Sequence, residues 1–268
     1  MPRRRALPET KTTRNQCGEL TARDTNVIEL ANVTKTFNAG KHNQFTAVDD
    51  VSLTIEAGRL TILKGPSGSG KTTLLALIGC MARPSSGRIR LHDIRTSFFT
   101  DDDSGNALDI TSLPERFLTE IRRTTFGFIF QQFNLVKGIS ALENIMLPAY
   151  PTGEGQAAFR RRSLELMELF AVSRHAASPV ELLSGGEMQR IAIARALINN
   201  PAIIIADEPT AHLDSKLSRE FMEMIGALKA RGKTILIASH DPLVHDSELA
   251  DTVVGMRDGR ITGITGRP

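Results

Sequence analysis

Cysteine is scarce in this chain of 268 residues, which contains only two. Cys17 lies in a polar N-terminal stretch, and Cys80 lies at the end of an apolar stretch of helical character. Two isolated cysteines cannot build a disulfide framework or a zinc cluster, so a domain stabilised by disulfides or by cysteine-bound zinc is excluded. The scarcity favours a reducing, cytoplasmic setting.

Long hydrophobic runs are also missing. The longest nearly unbroken apolar run, Leu74 to Ala82, is far shorter than the roughly 20 residues that a membrane-spanning helix needs. No bilayer-spanning segment is therefore predicted. Internal repeats and coiled-coil heptads are absent as well.

The body of the chain lacks an excess of charge. Residues 1–26 carry six basic and three acidic side chains, a difference that equals the net charge of +3 of the whole chain. The remaining residues are therefore balanced, and no nucleic-acid partner is expected. Residues 1–26 have no hydrophobic periodicity and no secretion signal, and we expect a disordered basic tail.

The most informative segment that is present has the pattern G-x-x-x-x-G-K-[ST]. It lies between a strand-like run, Leu60 to Leu63, and an apolar helical run, Leu74 to Ile78. The pattern comprises Gly65, Pro66, Ser67, Gly68, Ser69, Gly70, Lys71 and Thr72. A surface turn rich in glycine and serine is the alternative, but the flanking strand and helix favour a phosphate-binding loop.

The residue types of this loop suit a nucleotide. Its glycines let successive backbone N–H groups point inward, and the following helix adds the positive end of its dipole. Lys71 can reach the β- and γ-phosphates, and the Thr72 hydroxyl can bind Mg²⁺. Thr73 continues the same surface. A nucleotide and Mg²⁺ are the expected ligands, and the family resemblance described below implies that the nucleotide is ATP.

A second nucleotide element follows the apolar run Ile203 to Ala206. This run is too apolar to be half exposed, which predicts a buried strand that ends in Asp207 and Glu208. Asp207 would hold Mg²⁺, and Glu208 would orient and polarise the attacking water. A helix N-cap is the alternative for such an acidic pair, and the phosphate loop makes it the weaker one.

A further glycine-rich turn precedes a helical run. Its residues Ser184, Gly185, Gly186 and Glu187 would form a second helix end that binds anions. One phosphate loop with two anion-binding helix ends suggests that each site is completed by a second copy of the chain.

Strands and helices alternate along the rest of the chain, which predicts an α/β fold with a parallel sheet. Expected strands are residues 27–30, 45–55, 59–63, 88–91, 126–130, 202–206, 234–238, 252–256 and 260–264, and expected helices are residues 141–147, 159–170, 187–199, 216–230 and 243–249. In the second helix, Leu164, Met167, Glu168 and Ala171 are expected on one face. Residues 97–110 look like a solvated acidic insertion.

These motifs resemble, in their order, those of the nucleotide-binding subunits of ATP-binding-cassette (ABC) transporters. The matching segments are Gly65 to Thr72, Gln131, Leu183 to Glu187, Asp207 with Glu208, Ala211 to Asp214, and His240. Residues 127–135 and 141–145 look most like the corresponding segments of the lipoprotein-release, macrolide-export and cell-division ATPases. Polar amino-acid importers share part of this sequence.

The resemblance implies a fold with a P-loop NTPase core, an antiparallel β-subdomain and an inserted α-helical subdomain. It covers residues 27 to about 264 and places the ATP-binding domain at 27–268, with the helical subdomain at about 132–199. It also implies an ATPase that drives an integral-membrane permease from the cytoplasmic face of the membrane, as a dimer of two copies.

The resemblance assigns further roles. Gln131 would contact Mg²⁺ and the attacking water, His240 would contact the γ-phosphate, and Phe37 would stack on adenine. Asp214 closes the loop that lies near the partner copy's site, where His212 replaces a residue that is usually small. With Lys71 and Glu208, Gln131 and His240 complete the expected catalytic set.

Two other classes of function stay open at the level of sequence. A non-transport cassette acting on ribosomes or DNA usually carries two cassettes or a long coiled coil, and this chain has one cassette and no heptads. A kinase with the same loop would not need Ser184, Gly185 and Gly186.

Overall fold

The computed structural model describes residues 26–94, 96, 98 and 107–266. The expected basic tail therefore lies outside the described residues except for Asn26, and so does most of the insertion at 97–110. The ten described strands are β1 (Asn26–Phe37), β2 (Phe45–Glu56), β3 (Leu60–Lys64), β4 (Ser86–Leu91), β5 (Leu108–Asp109), β6 (Phe126–Ile129), β7 (Ile203–Asp207), β8 (Thr234–Ser239), β9 (Thr252–Arg257) and β10 (Arg260–Gly266).

Seven α-helices lie between these strands in the described part of the chain. They are α1 (Lys71–Ile78), α2 (Glu115–Thr125), α3 (Ala141–Met146), α4 (Gln156–Leu169), α5 (Gly185–Leu197), α6 (Ser215–Ala230) and α7 (Pro242–His245). Short 3-10 turns cover Leu147–Thr152, Ser173–His175 and Val180–Leu182.

The strands form two sheets. A four-stranded antiparallel sheet has the order β2-β1-β4-β5, and a six-stranded sheet has the order β10-β9-β3-β8-β7-β6. In the larger sheet β9, β3, β8, β7 and β6 are parallel, and β10 pairs with β9 in the antiparallel direction. The α/β fold with a parallel core and an antiparallel β-subdomain is confirmed.

The central strands are buried because helices cover both faces of a parallel sheet. Every residue of β8 is buried, as are Ile203 to Ala206 of β7. Between β6 and β7 the chain is mainly helical: α3 and α4 pack on α5, and Ile145, Phe159 and Ile191 are buried in the shared core. None of the helices in the described ranges is long and apolar enough to span a bilayer.

Several sequence expectations about the elements are wrong in detail. The expected helix at 243–249 is one turn, Pro242–His245, because the chain turns away after Asp246. In α4 the buried residues are Phe159, Ser163 and Met167, whereas Glu168 and Ala171 are exposed. The end of the expected insertion forms β5, which pairs with β4.

Candidate functional site

Parallel strands bring the sequence motifs to one edge of the larger sheet. Lys64 at the end of β3 pairs with Ser239 of β8, and Asp207 of β7 pairs with Ala238. The segments that follow these strands, which carry the phosphate loop, Glu208 and His240, therefore meet at the carboxyl edge of the sheet, where open α/β sheets bind ligands.

An open cavity of ≈ 530 Å³ lies at this edge. It is lined by ten of the expected site residues: Ser67, Gly68, Ser69, Gly70, Lys71, Thr72, Thr73, Gln131, Glu208 and His240. Phe45, Thr46, Ala47, Asp258 and Gly259 also line it and were not expected from the sequence. The start of β2 at Ala47 and the turn at Gly259 lie far apart in sequence, so no local pattern joins them.

The backbone of the phosphate loop requires glycine at two positions. Gly70 has φ 98°, and a Cβ atom there would lie 2.2 Å from the carbonyl oxygen of Ala47. A Cβ atom on Gly65 would lie 2.2 Å from the carbonyl oxygen of Met256. Gly70 precedes α1 and offers no side-chain cap, so the first N–H groups of α1 are available to an anion.

Lys71 is buried in the loop and is 5% exposed. Its Nζ donates to the carbonyl oxygens of Gly65 at 2.8 Å and Pro66 at 3.1 Å, and lies 3.3 Å from Oε1 of Glu208. The ammonium group therefore connects the phosphate loop with the carboxylate that follows β7.

Glu208 is fixed by its backbone and by two partners. Its φ of 45° is unusual for a residue with a side chain, and its N–H donates to the carbonyl oxygen of Ala238 at 2.9 Å. Oε2 lies 2.8 Å from Nδ1 of His240 and accepts from the His240 backbone N–H at 3.3 Å. The carboxylate thus lies between the Lys71 ammonium and the His240 ring.

Asp207 and Thr72 form a pair of oxygen ligands. The Thr72 hydroxyl donates to Oδ1 of Asp207 at 3.0 Å. Burial raises the pKa of the Asp207 carboxyl above its ordinary value, and the Thr72 hydrogen bond opposes this shift. Carboxylate, hydroxyl and amide oxygens are the ligands that Mg²⁺ takes. Thr72 and Gln131 line the cavity, and Asp207 reaches it through its hydrogen bond with Thr72.

The phosphate loop shows whether the residues present suit a nucleotide phosphate. The Ser69 hydroxyl is buried in the phosphate loop and has no hydrogen-bond partner, although buried polar atoms are usually paired. Gly65 and Gly70 let the loop pack against the carbonyl oxygens of Met256 and Ala47, and the first N–H groups of α1 have no side-chain cap. Together with the oxygen pair of Asp207 and Thr72, these features fit a nucleotide phosphate with Mg²⁺.

The second glycine-rich turn begins α5 and is separate from this cavity. Ser184 and Glu187 form a capping box: the Ser184 hydroxyl accepts from the Glu187 N–H, and the Glu187 carboxylate accepts from the Ser184 N–H at 2.9 Å. Arg174 and His175 also contact this carboxylate. Hydrogen bonds from Ser184 and Arg174 lower the pKa of Glu187 to about 2.

The loop before α6 packs on this turn. Asp214 caps α6 by accepting from the backbone N–H groups of Lys216 and Leu217. A Cβ atom on Gly186 would lie 2.8 Å from the Leu217 side chain, so the two helix starts are in close contact. His212 is exposed in the loop that precedes α6.

Two stacked rings border the cavity. The rings of Phe37 and Phe45 are 5.2 Å apart and nearly parallel, and Nζ of Lys35 lies 5.1 Å from the Phe37 ring centre. Phe45, rather than Phe37, lines the cavity and is 55% exposed. The expected role of Phe37 on adenine stays a prediction, and Phe45 is an aromatic residue that the sequence analysis missed.

Comparison with known proteins adds independent evidence. The family model described as "ABC transporter" matches residues 48–211. The chain is 38% identical to an uncharacterized ABC transporter ATP-binding protein, MJ0796 of Methanocaldococcus jannaschii, over 88% of this chain and 95% of that protein. It is 39% identical to the macrolide export ATP-binding/permease protein MacB of Burkholderia thailandensis, over 88% of this chain but 34% of that protein, so it spans about a third of the MacB length.

The solved structures agree with the sequence comparison. The dimeric structure of the MJ0796 cassette superposes with a TM-score of 0.77 at 36% identity, over 90% of this chain and 99% of that one. A dimeric post-hydrolysis state of MJ0796 bound to ADP and Pi has a TM-score of 0.76 over the same shares. The similarity therefore extends over the cavity, the helical segment and both sheets.

Proposed function

Since this chain belongs to the ABC transporter family and is one of its ATP-hydrolysing cassettes, we propose that two copies close around two ATP molecules and drive an integral-membrane permease. Export is the direction we infer, because MacB is named as an export ATP-binding/permease protein. A peripheral position on the cytoplasmic face of the membrane follows from this partner.

One observation carries the proposal. The cavity at the sheet edge gathers Lys71, Thr72 and Glu208, but the turn at Ser184 to Glu187 is not part of its lining. The phosphate-binding half of the site and the second anion-binding helix end are thus two separate surfaces of one copy. A head-to-tail dimer places the Ser184 turn of one copy against the phosphate loop of the other.

The loop and its neighbours bind and orient ATP. Backbone N–H groups of the loop and of α1 donate to phosphate oxygens, and the Lys71 ammonium neutralises charge on the β- and γ-phosphates. Thr72, Asp207 and Gln131 are the residues that would hold Mg²⁺, which supplies positive charge to the phosphate oxygens. Phe37 and Phe45 offer an aromatic surface to the base.

Glu208 and His240 act on the attacking side. Glu208 orients a water molecule and takes its proton as the water attacks the terminal phosphorus. His240 holds the Glu208 carboxylate at 2.8 Å and reaches the transferring phosphoryl group with its exposed ring. The leaving ADP is held by the same loop that bound ATP.

The permease contact follows from the helical segment. The segment from Phe133 to Ile145 comes shortly after Gln131, and its exposed residues at 134 and 136–138 offer a surface that a motion of the Gln131 loop would move. Closure around ATP and opening after hydrolysis would then move the helical segment, and the permease bound to it, between two positions.

Replacing Glu208 with Gln tests the assignment. We expect Glu208→Gln to bind ATP with unchanged affinity but to lose turnover by about 10²-fold or more, the scale of a removed general base. Phosphate release measures turnover, and a fluorescent ATP analogue measures binding. Glu223→Gln, an exposed change on α6, is the matched control and should retain activity. Near-normal hydrolysis by Glu208→Gln would overturn the role of Glu208.

The partner is tested separately. Purification of the tagged chain from native membranes should recover an integral-membrane protein at a fixed ratio. Recovery of ribosomes or DNA instead would contradict the transport function and support a non-transport cassette.

A further inference from the structure

Helix α5 carries a buried arginine at the end opposite Ser184. Arg195 lies in the last turn of α5 and is 9% exposed. Its Nη1 donates to the carbonyl oxygen of Asn134 at 2.6 Å, and its Nη2 donates to the carbonyl oxygen of Phe133 at 2.5 Å. Both acceptors belong to the loop that begins at Gln131.

These two hydrogen bonds constrain the loop because a buried cation needs them. Burial lowers the pKa of the Arg195 guanidinium, and a buried charge is costly unless it is fully hydrogen-bonded. The two Nη groups of the guanidinium each bind one of two successive carbonyl groups, whereas the shorter lysine side chain would have to serve both from one nitrogen atom. Arg195 therefore fixes both the position and the direction of these carbonyl groups.

The loop adopts a conformation that needs such support. Phe133 has φ 57° and Asn134 has φ 47°, both in the left-handed region that residues with side chains seldom adopt. Such strain persists only where the surroundings determine it. Further along, the fully buried Asn144 of α3 holds both the N–H and the carbonyl of Val136.

We propose that Arg195 is a positioning residue that sets the place of Gln131 in the cavity that Thr72 also lines. Because α5 begins at Ser184, the same helix links the surface that meets the partner copy with the loop that enters the chain's own cavity. This inference rests on the proposed dimeric ATPase. Arg195 acts through Phe133 and Asn134 and does not touch the nucleotide.

The variant Arg195→Lys tests the proposal, since it keeps the charge but loses the fork. We expect faster amide hydrogen exchange in residues 131–136 of the nucleotide-free protein. The Mg²⁺ concentration for half-maximal hydrolysis should rise by about 10-fold, the scale for removing support from a metal ligand. The affinity for ATP without Mg²⁺ should change by less than about 2-fold, because the phosphate loop is untouched.

Arg190→Lys is the matched control. Arg190 lies on the same helix and binds Glu220 and the carbonyl oxygen of Phe170, with no bond to the Gln131 loop. This variant should leave both loop exchange and the Mg²⁺ requirement unchanged. Equal effects of the two variants would reduce Arg195 to a general packing role and overturn the proposal.

The outcomes separate this inference from the proposed function. If the unmodified chain does not hydrolyse ATP, the proposed function fails. The amide hydrogen exchange of residues 131–136 still shows whether Arg195 holds this loop through Phe133 and Asn134. If the unmodified chain hydrolyses ATP and Arg195→Lys changes neither the exchange nor the Mg²⁺ requirement, the inference alone is overturned.

Discussion

At the scale of single residues, Glu208 shows how backbone geometry prepares a side chain for chemistry. Its left-handed φ costs of the order of 1–3 kcal/mol, which the surrounding structure must offset. The N–H of Glu208 binds Ala238 on β8, and its carboxylate contacts Lys71 and His240. The base is thus held by groups from two segments, the start of α1 and the end of β8.

Glycine at position 70 is the second residue whose backbone decides the site. Gly70→Ala should weaken ATP binding by more than about 10-fold, because its Cβ would collide with the Ala47 carbonyl and φ is positive. Gly68→Ala is the control: φ is also positive there, but the space around it is open, so a smaller loss is expected. Fluorescent-nucleotide titration of both variants measures the difference, and equal affinities would refute the steric argument.

Asp207 gives a prediction about pH. Because burial raises its pKa, the native protein binds the proton more readily than the unfolded chain does. The contribution of Asp207 to the free energy of unfolding is therefore largest below the ordinary aspartate pKa, and it falls as the pH rises through the raised value. Asp207→Asn should raise the melting temperature of the nucleotide-free protein at pH 7, and this gain should shrink as the pH is lowered towards the ordinary pKa of aspartate. A gain that is constant over this range would contradict the assignment.

At the scale of elements, helices α3 and α5 begin with the same capping motif. Ser140 and Glu143 form a capping box at α3, and Ser184 and Glu187 form one at α5. Helix α5 also holds the loop after Glu208, since the buried Gln189 amide donates to the Pro209 carbonyl oxygen at 3.0 Å. A shift of α5 therefore reaches both the Gln131 loop and the segment behind the base.

A comparison of the two N-cap residues, Ser140 and Ser184, separates an effect on stability from an effect on ATP hydrolysis. Ser140→Ala and Ser184→Ala should each destabilise the protein by about 1 kcal/mol, the usual cost of a lost N-cap. Only Ser184→Ala should also reduce ATP hydrolysis, because its hydroxyl belongs to the proposed second half of the site. Urea unfolding and phosphate release measure the two effects. Equal losses of activity would show that Ser184 serves only as a cap.

The sequence predicts those strands, helices and loops that short local patterns of residues specify. The buried strand before Asp207 and the loop at Gly65 to Thr72 could be placed because apolar runs and glycine spacing are local signals. Helix α2 was missed, although Leu118, Ile121 and Thr125 form its buried face at helical spacing. Phe45 could not be assigned, since most of the other residues that line its cavity are distant in sequence. Arg195 could not be assigned either, since the carbonyl groups that it binds are 61 and 62 residues away.

At the scale of the whole molecule, the order of the strands separates the phosphate loop from the start of α5, the two surfaces that the proposed dimer would bring together. Strands β3, β8 and β7 are neighbours, so the segments that follow them gather at one edge. The start of α5 lies in the helical segment between β6 and β7, outside that cavity. The chain thus presents one complete phosphate-binding surface and one separate capped helix end for a second copy.

The mass of Glu208→Gln in saturating ATP, measured by light scattering, tests this central claim most directly. The account predicts a monomer without nucleotide, a dimer with ATP, and loss of that dimer when Ser184→Arg is added, while ATP still binds to the intact phosphate loop. A Glu208→Gln protein that stays monomeric in ATP, or a dimer that Ser184→Arg does not disrupt, would contradict it.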